Sequence, residues 1–231
     1  MNTLFKQGFK DGIPIGLGYL SVSIGIGIAA VNSGLNVITA LLISMTNLTS
    51  AGEAAGISLI AAGGTLLEMA MVQLVINLRY SLMGISLSQK LDGSFTTGHR
   101  LFLSTFITDE NFAVLSAQEK VNIKYMYGLV LAPYIGWSVG TFIGASAGMV
   151  LPTSVTTALG MALYGMFVAI FVPAMKKNAG VTRAVIIAAA LSTMMRVIPF
   201  FSCISYGFSV IIASVAASVI SAYVSYRKSI A

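Results

Sequence analysis

Residues 35–45 and 54–62 form two apolar runs, each about half of the ~20 residues that a helix needs to cross a bilayer, and a polar stretch separates them. That stretch consists of Thr46, Asn47, Thr49, Ser50, Gly52 and Glu53, with Leu48 and Ala51 interleaved. The pattern predicts two half-helices that meet at a break. Half-helix ends leave backbone groups unpaired, and in lipid such groups persist only inside protein or beside a water-filled cavity. Glu53 tightens the constraint: a carboxylate near mid-membrane costs roughly 2.5 kcal/mol or more, so it must face a partner, water or a proton path. The competing reading is a short polar loop at the membrane surface.

Of the 231 residues, 57% are hydrophobic and 9% charged, where soluble domains carry about 25% charged residues. Apolar stretches recur along the whole length, so the chain reads as one polytopic membrane domain over residues 1–231. The formal charge of +6 comes from basic residues gathered at helix ends, a topology signal that makes nucleic acid an unsuitable partner. A lone cysteine, Cys203, excludes an internal disulfide, and the sole histidine, His99, lies in a polar loop without other ligands at metal spacing. No metal or cofactor site is expected. No nucleophile stands with a plausible base and no phosphate-binding loop is present, so the chain does not read as an enzyme.

Basic residues mark the N-terminus, residues 90–124, residues 176–183, and Arg227 with Lys228, whereas the connections at 32–36 and 151–157 carry no charge. Placing the basic set in the cytoplasm predicts helices over 12–31, 65–88, 125–150, 154–175, 183–199 and 205–226, with both termini cytoplasmic. This holds only if residues 35–62 enter from outside and return. The expected fold is therefore an all-α integral membrane protein with about six spanning helices plus a re-entrant or broken helical hairpin. Residues 89–124 form a cytoplasmic loop, in which 100–124 reads as a helical segment along the membrane surface or a short extra span. A weak internal repeat is also visible: Gly18, Tyr19, Ser21 and Val22 echo Gly136, Trp137, Ser138 and Val139, and Gly64 with Leu67 echoes Gly160 with Leu163.

Gly136, Gly140, Gly144 and Gly148 recur at four-residue spacing, which clears one helix face of side chains and lets another helix approach closely. Gly8, Gly12 and Gly16, then Ser21, Gly25 and Ala29, give the first helix similar small faces. Glu68 and Arg196 share a depth, one turn inside the outer ends of their helices, so they are expected to form a structural ion pair. Arg79 lies nearer the cytoplasmic end and can reach the headgroups. Asn77 precedes it on the same helix, and Tyr134 and Trp137 follow Pro133 as candidate cavity-lining residues.

The order of Pro14, Ser50-Ala51-Gly52-Glu53, Asn77-Leu78-Arg79, Thr108-Asp109-Glu110 and Trp137 with its glycine ladder resembles the AzlC family of branched-chain amino-acid permeases, from about Gly8 to Met175. The resemblance implies export of valine, leucine or analogues across the cell membrane, with a small hydrophobic AzlD-type membrane subunit as partner. On this reading Asn47, Thr49, Ser50, Gly52, Glu53, Asn77, Tyr134 and Trp137 bind a small zwitterionic amino acid inside the lipid bilayer. Glu53 meets the ammonium group or carries the coupled proton. The alternative is a non-transporting membrane scaffold or sensor subunit, for which a lone midplane carboxylate has little use.

Overall fold

The computed structural model describes residues 3–152, 154–155, 165, 168, 172–201 and 204–230. Its fully described α-helices are α1 (Thr3–Asn32), α2 (Val37–Thr46), α3 (Ser50–Ala61), α4 (Leu66–Ser88), α5 (Thr97–Ser104), α6 (Asp109–Ser116), α7 (Ile123–Gly148), α8 (Ala179–Val197) and α9 (Tyr206–Ile230). Five of these, α1, α4, α7, α8 and α9, are long and apolar enough to cross a membrane. The expected span at 154–175 lies mostly outside the described residues, as do Cys203 and the echo at Gly160 and Leu163. The chain divides into two compact units, one of residues 1–57 and 77–163, the other of residues 58–76 and 164–231.

The core of the first unit is the seam between α1 and α7. A Cβ added at Gly12 would crowd Leu129 and Pro133, one at Gly16 would lie 2.7 Å from the Ala132 carbonyl, and one at Gly144 would lie 2.7 Å from the carbonyl carbon of Ile24. Partner numbers rise together along both helices, so α1 and α7 run parallel, as two helices both starting from the basic side must. The seam holds because residues lacking side chains let the backbones meet and multiply dispersion contacts. Beyond Gly16 the α1 side follows Leu20, Ile24 and Gly27 rather than Ser21, Gly25 and Ala29. Strict four-residue steps from Gly8 stay on the seam, and the second small face lies off it. The two aromatics equated by the internal echo, Tyr19 and Trp137, meet edge to face with ring centres 5.3 Å apart.

α2 and α3 are the predicted half-helices, and α2 packs against both α7 and α1. Residues 100–124 hold no extra span: α5 and α6 are 8 residues each, about 12 Å long against a hydrocarbon core of about 30 Å. They are separate because Thr96 and Thr108 each cap a new N-terminus, Thr96 accepting from the His99 amide and Thr108 from the Asn111 amide. Leu87, Phe95, Leu103, Leu115, Val121 and Met126 bury a cluster at this end of the unit. Lys90 donates to the carbonyls of Ser116 and Gln118, and Leu91 bridges Val121.

In the second unit the start of α8 meets the end of α9, where Arg183 donates to Ser225 (2.6 Å) and Ser221 to the Gly180 carbonyl (2.6 Å). The expected ion pair of Glu68 with Arg196 is absent from the described residues, and Arg196 is exposed. Glu68 instead completes a capping box at the start of α4. Its carboxylate accepts from the Thr65 amide (2.8 Å) and hydroxyl (2.9 Å), while the Glu68 amide donates to the Thr65 hydroxyl (3.3 Å). Its second oxygen accepts from Ser205. The unpaired amides of a helix N-terminus satisfied this carboxylate locally, so no distant cation was needed.

Candidate functional site

The break between α2 and α3 is built by side chains that compete with the helix backbone. Thr46 donates back to the Leu42 carbonyl (2.7 Å), and the Asn47 amide closes α2 on Ile43 (2.8 Å). The Thr49 amide then bonds the Asn47 carbonyl (2.8 Å), which turns the chain sharply at Leu48. Thr49 caps α3, its hydroxyl accepting from the Gly52 amide (3.3 Å) and donating to the Asn77 side-chain oxygen (3.2 Å). The sharpness of the bend follows from Ser44 and Glu53. Nine residues of continuous helix would hold them about 13 Å apart, yet the Ser44 hydroxyl donates to the Glu53 carboxylate.

Glu53 has no exposed surface. One carboxylate oxygen accepts from Ser44, and the other accepts from the Trp137 indole N–H at 2.9 Å. The Ser44 hydroxyl also lies 2.8 Å from that of Thr141, itself fully buried. Among the described residues Glu53 forms no ion pair. The hydroxyl pair suits a carboxyl group that changes protonation. With Glu53 ionised, Thr141 donates to Ser44 and Ser44 to the carboxylate; with Glu53 protonated, the acid donates to Ser44 and Ser44 to Thr141. Either state is satisfied by rotating two O–H bonds. Glu53 also sits in the first turn of α3, where the helix dipole favours negative charge.

A second layer of contacts reaches α6. Tyr19, against the Trp137 ring, donates its hydroxyl to Glu110. The neighbouring Asp109 pairs with Arg79 at 2.6 Å, and Arg79 also donates to Tyr80 (3.0 Å). The Asn77-Leu78-Arg79 and Thr108-Asp109-Glu110 triplets therefore meet in space, joined by the Arg79–Asp109 ion pair. Burial holds the Asp109 carboxyl above its ordinary range, against the pull of Arg79.

Of the residues expected at the site, Thr49, Gly52, Glu53, Asn77 and Trp137 come together around the break. Asn47 ends α2, and Ser50 opens α3. Tyr134 does not reach Glu53; it packs edge-on against Phe106 at 5.3 Å. Ser44 and Thr141 were not expected at the site, since a single hydroxyl in an apolar run or a glycine ladder carries no signal until the facing helix is known; Tyr19 and Glu110 stand in the echo and the triplet read from the sequence, but nothing there pairs them.

This is an all-α membrane protein whose buried acid sits at the junction of two half-helices. The profile of the family described as AzlC protein matches residues 14–151, and the chain belongs to that family. An uncharacterized membrane protein of Archaeoglobus fulgidus is 29% identical over 76% of this chain and 78% of its own length. Inner membrane protein YgaZ of Escherichia coli is 26% identical over 84% of this chain and 83% of its own. The branched-chain amino acid transport protein AzlC of Bacillus subtilis is 24% identical over 73% of this chain and 66% of its own. No solved structure gives a significant match.

Proposed function

We propose that this chain is the large subunit of a secondary transporter that exports branched-chain amino acids across the cell membrane in exchange for protons. Both termini are cytoplasmic, and a small AzlD-type membrane protein is its partner. The observation that carries the reading is Glu53, a fully buried carboxylate at a half-helix junction with hydroxyl and indole partners but no cation among the described residues. The name of the Bacillus subtilis relative supports the substrate class.

Glu53 can hold a proton or face an ammonium group, and the two exclude each other at one carboxylate. Substrate arriving from the cytoplasm displaces the proton, and a proton arriving from outside displaces the substrate. This mutual exclusion couples the outward flux of substrate to the inward flux of protons. The carboxylate of the substrate takes the free amides at the start of α3, near Ser50 and Ala51, where the dipole favours an anion. Asn47, Thr49 and Asn77 supply further polar contacts, while Leu48 offers an aliphatic surface. On the cytoplasmic side, Tyr19 with Glu110 and Arg79 with Asp109 close the path. The Arg79–Asp109 contact is cheap to break, because an ion pair this exposed contributes only about 0–1 kcal/mol.

The test is counterflow of labelled leucine and valine in proteoliposomes, with and without the partner, for the native chain and for Glu53→Gln. Native counterflow should depend on pH, and Glu53→Gln should lose that dependence while remaining in the membrane. Unchanged pH dependence in the variant refutes the role of Glu53.

A further inference from the structure

Along α4, Asn77 contacts the break and Arg79 contacts α6, and immediately beyond them a cavity of about 350 Å³ opens between α4, α5 and the first turn of α7. Its walls are chiefly apolar, from Leu91, Phe95, Leu103, Ile107 and Met126, with Gly84 of α4 leaving open space on one side. The polar groups at its edge are of two kinds. Arg100 supplies guanidinium donors and forms no ion pair among the described residues. Ser88 and Ser104 have already committed their hydroxyl protons, to the carbonyls of Ile85 (2.6 Å) and Leu101 (2.7 Å), so toward the cavity they offer acceptors.

Donors for an anion, acceptors for a cation and an aliphatic wall between them complement an aliphatic zwitterion. Inorganic phosphate or a simple anionic headgroup would leave the serine acceptors unmatched. We propose that this cavity is a second amino-acid site, a staging position in which the substrate carboxylate meets Arg100, its ammonium meets Ser88 and Ser104, and its branched side chain packs on Leu103 and Met126. The inference rests on the transporter reading and extends it. Asn77 lies seven residues before Gly84, so the staging site stands about 10 Å along α4 from the break. The Arg79–Asp109 pair falls between the two positions on that helix. Substrate therefore waits beyond the Arg79 and Tyr19 contacts before they open. The size fits, since small-molecule pockets start near 300 Å³.

The experiment combines equilibrium binding of labelled leucine to the purified full chain in phosphatidylcholine nanodiscs with counterflow in proteoliposomes. The native chain should bind two leucines. Arg100→Gln should leave one, and should raise KM for transport at least about tenfold with kcat retained, as expected for loss of a charge-assisted hydrogen bond. Arg100→Lys should recover part of that loss. Gly84→Leu fills the cavity without touching a charge and should likewise leave one bound leucine. Intact counterflow with a single bound leucine that neither variant alters overturns the staging site and leaves the transporter reading standing. Absence of counterflow with leucine and valine overturns the transporter reading itself. Retention of phosphatidylethanolamine by the native chain but not by Gly84→Leu, with no displacement by leucine, identifies a lipid site and overturns the proposal.

Discussion

Alanine at Gly136 sets two opposing effects against each other, and the structure decides which prevails. In a helix interior the change gains about 1 kcal/mol of intrinsic propensity. Against this, the new methyl would lie 2.9 Å from the carbonyl carbon of Gly16 and 3.1 Å from its Cα, and closer still to its oxygen. The obstacle is backbone, so no rotamer change can relieve it. The two helices must separate by at least about half an ångström, which forfeits about a quarter of each dispersion contact along the seam. Overpacking typically costs about 1–3 kcal/mol even where side chains can adjust. A net loss of about 2 kcal/mol is expected for Gly136→Ala. Gly148 and Gly18 are the controls: the nearest atom to a methyl at Gly148 is 3.5 Å away, and none lies within 4 Å at Gly18. Alanine at either should be neutral or stabilising by up to about 1 kcal/mol. Detergent-denaturation curves followed by circular dichroism give all three values. A Gly136→Ala protein as stable as Gly148→Ala would show that the helices do not touch at backbone distance, and the parallel seam would be wrong.

Exchanging the charges in Arg79→Asp with Asp109→Arg should restore most of the transport lost in either single variant, measured as initial efflux rate; singles and double alike would remove the pair from the gate. Glu68→Ala should cost about 1–2 kcal/mol through loss of the capping box, whereas Arg196→Ala should change stability by less than about 0.5 kcal/mol. Their effects should add, and a coupling energy above about 0.5 kcal/mol would revive the ion pair. The Ser94 hydroxyl and amide, with help from Asn122, hold Asp92 below the ordinary carboxylate range. Its contribution is therefore present above the unfolded value of about 3.9 and is lost as pH falls through the folded one. Thermal melting in acid should show a drop for the native chain that is smaller in Asp92→Asn, and identical curves would count against it.

The break and the glycine seam were legible in the residues because each is encoded within a few positions. Thr46, Asn47 and Thr49 compete with the helix ladder wherever the chain is placed, and a four-residue glycine repeat bares one face of any helix that carries it. The fate of Glu68 was equally local, in Thr65 three residues before it, because a helix N-terminus at that distance satisfies a carboxylate before any cation across the bundle can. The partners of Glu53 belong to a different order. Trp137 lies 84 residues away and reaches it from a helix of its own, while Tyr19 meets Glu110 across 91. Those meetings depend on the register of α1 against α7, set by backbone contact along the whole seam, and on how far α2 penetrates beside them. A spacing rule reaches along one helix, and only packing determines what faces it from the next.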